Sequence, residues 1–198
     1  MCVLTHQAAK LDWEAMWAPY DEDTYQAVLE QIAPDDIVVE IGAGDLRLAR
    51  RMAAQCQHVV AIEIQENLVT NAIDSGNVAL DNLSVICGDA RQIQTPPDAT
   101  VGVLLMRHCT HFKEYAEKCK LAGVKRLITN ARWGMGVEVI DLSEKRIPYS
   151  RFDLGWYACW CGQVGFKPGP VEHLNSELFQ YTFEVKDCPQ CSNHRREF

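Results

Sequence analysis

Hydrophobic and polar positions alternate along this chain with two different periods, and the switching between them outlines the fold. Val38-Val39-Glu40-Ile41 is a short apolar run with one acid, followed by Gly42-Ala43-Gly44-Asp45 and then by the helical pattern Leu46-Arg47-Leu48-Ala49-Arg50-Arg51-Met52. Short apolar runs bounded by glycines mark strands buried on both faces, whereas apolar positions recurring every three to four residues mark helices. The same grammar repeats. His58 to Glu63 reads as a second strand, and Gln65 to Ile73 as a helix ended by Ser75-Gly76-Asn77. Leu83 to Cys87 is a third strand closed by Gly88-Asp89, Val101 to Met106 a fourth, and Phe112 to Leu121 a helix. Gly123-Val124 opens a fifth strand through Leu127-Ile128-Thr129. Strand–helix alternation of this kind predicts an α/β fold, Rossmann-like and doubly wound around a mostly parallel sheet.

Both flanks of this core read differently. Upstream, Trp13, Trp17, Tyr20 and Tyr25 cluster, and Asp21 or Asp23 can cap a helix whose apolar positions are Tyr25, Val28, Leu29 and Ile32. A segment ahead of the first strand can fold over the crevice, which makes Tyr20 a candidate lid residue. Downstream of Asn130, Trp133-Gly134-Met135-Gly136 breaks the alternation, and Val137 to Leu142 fits a short strand or helix. Gly155 to Phe166 is strand-like and runs into Lys167-Pro168-Gly169-Pro170, and Leu178 to Val185 alternates like a strand. Two late strands joined by a Pro/Gly-rich loop predict an antiparallel C-terminal hairpin at the edge of a seven-stranded sheet. The expected organisation is a single domain: 1–34 a helical lid, 35–150 the cofactor-binding core, 151–198 the hairpin.

Composition narrows the classes. At 198 residues, with 47% hydrophobic and 23% charged residues, the chain suits one soluble domain. No apolar run approaches the roughly 20 residues of a membrane span, and the first residues lack the pattern of an export signal, so a cytoplasmic protein with no membrane partner is expected. A formal charge of −8, from 27 acidic and 19 basic residues, disfavours a nucleic-acid partner. The run Lys113, Lys118, Lys120, Lys125, Arg126 and Arg132 reads as a solvated helix face. Nine cysteines, an odd number without an export signal, argue for metal, redox or core roles rather than a disulfide framework.

Three features fall at the carboxyl ends of successive strands, where open α/β sheets bind ligands. Gly42 lets the chain turn sharply, and Gly44 lets a ligand approach the backbone. Glu63, 19 residues after Gly44, is placed to accept both hydroxyls of a ribose. Asp89, with the Ala90 N–H beside it, is placed for an adenine edge. A nicotinamide dehydrogenase fingerprint, G-x-G-x-x-G, would need glycine where Arg47 stands, which counts against that reading.

Val38-Val39-Glu40-Ile41-Gly42-Ala43-Gly44-Asp45, Ala61-Ile62-Glu63-Ile64 and Ile86-Cys87-Gly88-Asp89-Ala90 resemble the first three motifs of class I S-adenosylmethionine-dependent methyltransferases. The likeness covers roughly residues 20 to 130. It implies methyl transfer from S-adenosylmethionine to an acceptor that the sequence leaves unidentified. By resemblance, Gly42 and Gly44 border the methionine part of the cofactor, Glu63 and Ile64 the ribose, and Asp89 with Ala90 the adenine. Glu40 acts near the cofactor's amino group, and Tyr20 and Met106 complete the pocket. The family's third glycine is Leu46 here. The Asn/Asp-Pro-Pro-Tyr/Phe tetrad of base-amino methylating enzymes is absent after strand four, where Leu105-Met106-Arg107-His108-Cys109-Thr110-His111 stands instead. His108 and His111 are candidate proton acceptors there, and Arg107 and Arg132 can join them in a site for a polar or anionic acceptor. A small-molecule or protein acceptor is therefore expected. The alternatives are an RNA (adenine) methyltransferase, since the opening motif also resembles ribosomal adenine dimethylases, and a catalytically silent cofactor-binding or interaction module.

Cys159-Trp160-Cys161 and Cys188-Pro189-Gln190-Cys191 are the second chemical signal. Residues i and i+2 of a strand share a face, and a Cys-x-x-Cys turn points both sulfurs to one side. Four thiolates in two close pairs suit a zinc ion, structural because no open position is left. Buried strand cysteines or a redox-active dithiol are the alternatives.

Overall fold

The computed structural model describes residues 18–75, 80–107, 109–133 and 136–191. Helix α1 (Glu22–Leu29) starts at Asp21, whose carboxylate accepts the Thr24 N–H at 2.8 Å, the N-cap arrangement expected of that residue. Strands β1 (Ile37–Ile41), β2 (His58–Glu63), β3 (Leu83–Cys87), β4 (Val101–Leu104), β5 (Arg126–Thr129) and β6 (Glu138–Asp141) form one sheet in the order β3-β2-β1-β4-β5-β6. The first five are parallel, and β6 pairs antiparallel with β5. Between them run α2 (Arg47–Ala53), α3 (Glu66–Asp74) and α4 (Phe112–Leu121).

Both faces of this sheet are covered, which is why its central strands are apolar at successive positions rather than at alternate ones, Glu40 near the end of β1 being an exception. Val38, Val59 and Val101 turn to one face and pack with α1 and α2, through Val28, Leu48 and Met52. Val39, Val60 and Leu104 turn to the other and meet α4 through Phe112, Tyr115 and Cys119. No helix among the described residues is long and apolar enough to cross a membrane.

The Rossmann-like, mostly parallel architecture matches the sequence pattern, with two differences in the late segment. The large sheet has six strands, because Val137 to Leu142 supplies its antiparallel edge. The later residues build a second sheet of their own from β7 (Ile147–Pro148), β8 (Gly155–Cys159), β9 (Val164–Lys167) and β10 (Thr182–Lys186), in the order β7-β10-β8-β9. The run from Gly155 to Phe166 is two strands, not one. It reverses between Cys159 and Gln163, with Gly162 at φ 90°, and this turn makes the antiparallel pair β8–β9. The pairing of β10 with β8 is parallel, as a long connection through residues 168–181 allows.

The two sheets meet around a buried cation. Arg132, just past β5, has a side chain only 1% exposed and is paired with Glu138 of β6 and Glu184 of β10, at 2.6 Å each. Burial opposes its charge, but the hydrogen bonds it donates to both carboxylates outweigh that and raise its pKa. Arg132 is thus saturated inside the protein and does not join an acceptor site, contrary to the sequence expectation. The basic run around it is not simply a solvated face either. Lys118 donates to the carbonyls of Ala90 and Arg91, Lys120 to Leu142 O, and Arg126 pairs with the buried Asp36.

Candidate cofactor cleft

The cleft opens where β1, β2, β3 and β4 end. After Ile41 the chain turns through Gly42 and Gly44, at φ 74° and 58°, and the N–H groups of Gly42 and Ala43 both reach Ile62 O on β2. A Cβ on Gly42 would approach Met106 Cε to 3.0 Å, so the glycine is set by close packing as well as by its backbone. Leu46, where the resembled family carries glycine, also adopts the left-handed conformation, at φ 65°. Its fully buried side chain packs in the core under α1 and α2. The turn that glycine would adopt freely is therefore retained with a strained leucine.

Two adjoining lobes make up the cleft. The first, about 460 Å³, is lined among others by Tyr20, Glu40, Gly42, Asp45, Glu63 and Arg107. The second, about 340 Å³, is lined among others by Gly88, Asp89, Ala90, Arg91 and Tyr115. Gly42, Ile64, Gln65 and Met106 border both. The lobes thus join at the end of β2.

Glu40 is buried, and its Oε2 has no hydrogen-bond partner among the described residues. Burial, reinforced by the nearby Glu63 and Asp45 carboxylates, pushes its pKa up to about 8. Glu63 accepts the Gly44 N–H through Oε2 at 2.7 Å and the Gln65 N–H through Oε1 at 2.8 Å, so one carboxylate ties the glycine turn to the end of β2. Asp89 accepts from Arg91 Nε and Nη2, at 3.0 and 2.8 Å, and this guanidinium holds its carboxyl below the usual range. The Tyr20 hydroxyl accepts the Arg107 N–H at 3.1 Å, and the Arg107 guanidinium lies 4.9 Å from the Tyr20 ring centre. The segment ahead of α1 thereby contacts the loop after β4.

Six of the nine expected cofactor residues, all but Gly44, Asp89 and Ala90, line the first lobe or its border. Asp89 and Ala90, with Gly42, Ile64 and Met106 again, line the second, while Gly44 enters only through its bond to Glu63. His108 lies outside the described residues. His111 precedes α4, with Nε2 3.0 Å from Arg91 Nη1 and Nδ1 3.6 Å from Glu114. It lines neither lobe. Sequence reasoning quoted Asp45 and Arg47 within the first motif without giving either a role at the site, and it did not single out Gln65, Arg91 or Tyr115, which line the cleft as well. Nor did it single out Asn130, a buried residue just past β5 whose Oδ1 and Nδ2 have no partner among the described residues.

Residues 20–124, just over half the chain, match the family model described as ribosomal RNA adenine dimethylase. The chain belongs to this family. Its matched span contains β1 to β4 and the whole lining of both lobes apart from Ala18 and Pro19. Among curated relatives, a probable ribosomal RNA small subunit methyltransferase A from Methanosarcina mazei is 36% identical over 66 residues, 33% of this chain and 24% of the relative. A ribosomal RNA small subunit methyltransferase A from Pediococcus pentosaceus is 36% identical over 59 residues, 30% of this chain and 20% of the relative. The matches thus span about a quarter of those proteins or less. Of solved structures, the 23S rRNA methyltransferase ErmE superposes with a TM-score of 0.50 at 21% identity, covering 56% of this chain and 46% of that one. A precorrin-6y C5,15-methyltransferase from Geobacter metallireducens does so with a TM-score of 0.50 at 14% identity, covering 58% and 64%. At those identities the structural likeness speaks for the fold alone.

Membership of a ribosomal RNA adenine dimethylase family overturns the expectation that nucleic acid is not a partner. That expectation rested on net charge, which is a sum over the whole surface. Binding depends on the local field, and cations such as Arg91 and Arg107 stand at the cleft itself.

Proposed function

We propose that this chain transfers a methyl group from S-adenosylmethionine to an adenine base of RNA. The observation that carries the proposal is the family match over residues 20–124, which contains nearly the whole cleft. The lobes fit the two-part cofactor: an acidic, amide-lined first lobe suits the methionine end, and the second, with Ala90 and Asp89 at its edge, suits an adenine. When bound, S-adenosylmethionine supplies an electrophilic methyl on a positively charged sulfur.

The chain's own groups have separable tasks in this reading. Glu40, deprotonated, holds an ammonium group against its unpartnered Oε2, and Glu63 keeps acceptor capacity for ribose hydroxyls beyond its two amide bonds. The Gly88–Ala90 backbone and Asp89 read the adenine edge once Arg91 yields part of its hold on Asp89. Tyr20 and Arg107 close over the first lobe and exclude water. The usual amino-holding tetrad is absent, so an amide from elsewhere must orient the target base. The amide of Asn130, just past the strand next to β4 and without a partner among the described residues, is our candidate, while His108 and His111 remain proposals for proton removal. Zinc at the four cysteines is a separate proposal, since none of the four lines either lobe.

The test is methyl transfer from isotopically labelled S-adenosylmethionine to unmethylated transcripts of small-subunit and large-subunit ribosomal RNA, followed by nucleoside digestion. Label in N6-methyladenosine or N6,N6-dimethyladenosine is expected, with strong loss in Asn130→Ala. Label confined to other nucleosides, to protein or to small molecules would overturn the adenine assignment.

A further inference from the structure

The second sheet carries a cluster that methyl transfer does not use. Cys159 is the last residue of β8, and Cys161 follows in the turn to β9. That turn is closed by the Cys159 N–H donating to Gln163 O at 2.8 Å and the Gly162 N–H to Cys159 O at 3.0 Å. Cys188 and Cys191 follow β10 after Asp187, which takes the left-handed φ of 57° to redirect the chain. The Cys191 N–H donates to Cys188 O at 2.9 Å. Two turns, far apart in sequence, therefore aim two sulfurs each at one point. The four Sγ atoms all lie within 4.8 Å of one another.

The spacing suits coordination. Cys161 and Cys188 sulfurs are 3.4 Å apart, those of Cys159 and Cys191 3.5 Å, and those of Cys188 and Cys191 3.7 Å. Four thiolates about 2.3 Å from a central zinc ion would be about 3.8 Å from each other. A covalent sulfur–sulfur bond is about 2.05 Å long, and all four cysteines are free. Cys159 and Cys188 are buried, while Cys161 and Cys191 are half-buried, which leaves a side for ion entry.

Packing gives an independent reason for a metal. The buried cluster of the small sheet is Phe152, Tyr157, Cys159, Val185 and Cys188, so two of its five members are cysteines of the site. A sheet with so little apolar mass is the kind that a metal or crosslink stabilises.

We propose that Cys159, Cys161, Cys188 and Cys191 bind one Zn²⁺ ion as a structural four-thiolate centre that fastens the small sheet to the cofactor-binding sheet. Trp160, between the two ligands of the first turn, is the fastener. It is 1% exposed and belongs to the same core cluster as Leu127, Ile140 and Leu142 of the large sheet. Its Nε1 donates to Glu184, a partner of Arg132, at 3.1 Å, and the Arg146 guanidinium lies 3.8 Å from its ring centre. Fixing Cys159 and Cys161 on a metal fixes the backbone that seats this ring.

The purified full chain, expressed with added zinc, is analysed for metal by mass spectrometry, and for zinc release to a chromogenic chelator after the thiols are blocked with an organomercurial. About one zinc per chain is expected, released only on mercurial treatment. Cys161→Ser and Cys188→Ser lose it, whereas Cys87→Ser, an exposed cysteine on β3, retains it. Metal-free wild-type protein, iron in place of zinc, or the four cysteines recovered as disulfides would each overturn the proposal. Wild-type content decides the question even where ligand variants fail to fold. The result is independent of whether the cleft binds S-adenosylmethionine, which a separate calorimetric titration reads.

Discussion

Glu40, next to last in β1, has its carboxyl taken out of water near two other carboxylates, and its pKa of about 8 follows from that placement. The folded state therefore holds a proton that the unfolded chain releases above its ordinary 4.5. A raised carboxyl contributes stability below the unfolded pKa and loses it as pH rises through the folded one. Melting temperature without cofactor should thus decline between 4.5 and about 8 on account of this group. Glu40→Gln, uncharged at every pH, should flatten that decline and melt higher than wild type at alkaline pH, while binding S-adenosylmethionine more weakly in a calorimetric titration. Leu46 is the second residue whose environment works against its backbone. A left-handed φ costs a non-glycine residue about 1–2 kcal/mol, but a fully buried leucine is worth more than that in its cavity. Leu46→Gly, although it restores the family's residue, should lower unfolding free energy by roughly 1–3 kcal/mol in denaturant titration.

At the scale of elements, the join between the two sheets depends on Arg132. Its guanidinium is almost fully enclosed by the Glu138 and Glu184 carboxylates, and its contact with the Phe112 ring, 5.3 Å from the centre, brings α4 into the same unit. Removing one partner of a buried ionic group leaves the others charged and desolvated, at a cost of about 3–5 kcal/mol. Arg132→Met should show a loss of that size in equilibrium unfolding, and the double variant Arg132→Met/Glu184→Gln should recover part of it by removing one stranded charge. The strands and helices around the cleft were legible in the sequence because each has a strong local signature. Val38 to Ile41 is an apolar run ended by glycines, and Asp21 sits three residues before Thr24 as a cap. The join was not legible. Arg132 read as one more cation in a basic run, because its two carboxylate partners lie 6 and 52 residues away and only folding brings them together.

For the whole molecule, the sequence by itself determined the alternating α/β core and the order of Gly42, Gly44, Glu63, Asp89 and Ala90 along it. It also fixed the two cysteine pairs. These are local properties: a glycine's backbone freedom, the period of apolar residues and the direction of neighbouring side chains do not wait for distant contacts. Net charge, by contrast, is a global sum, and it pointed away from the nucleic acid that the family match brings in. Tertiary structure alone decided that the late strands form a sheet of their own rather than extending the first, because strand pairing is a choice among partners far apart in sequence. It also decided the state of Glu40, which depends on burial and on neighbours from two other segments. Whether four sulfurs meet at one point is likewise a matter of tertiary structure, since Cys159 and Cys161 converge with Cys188 and Cys191 only when β8 and β10 lie side by side.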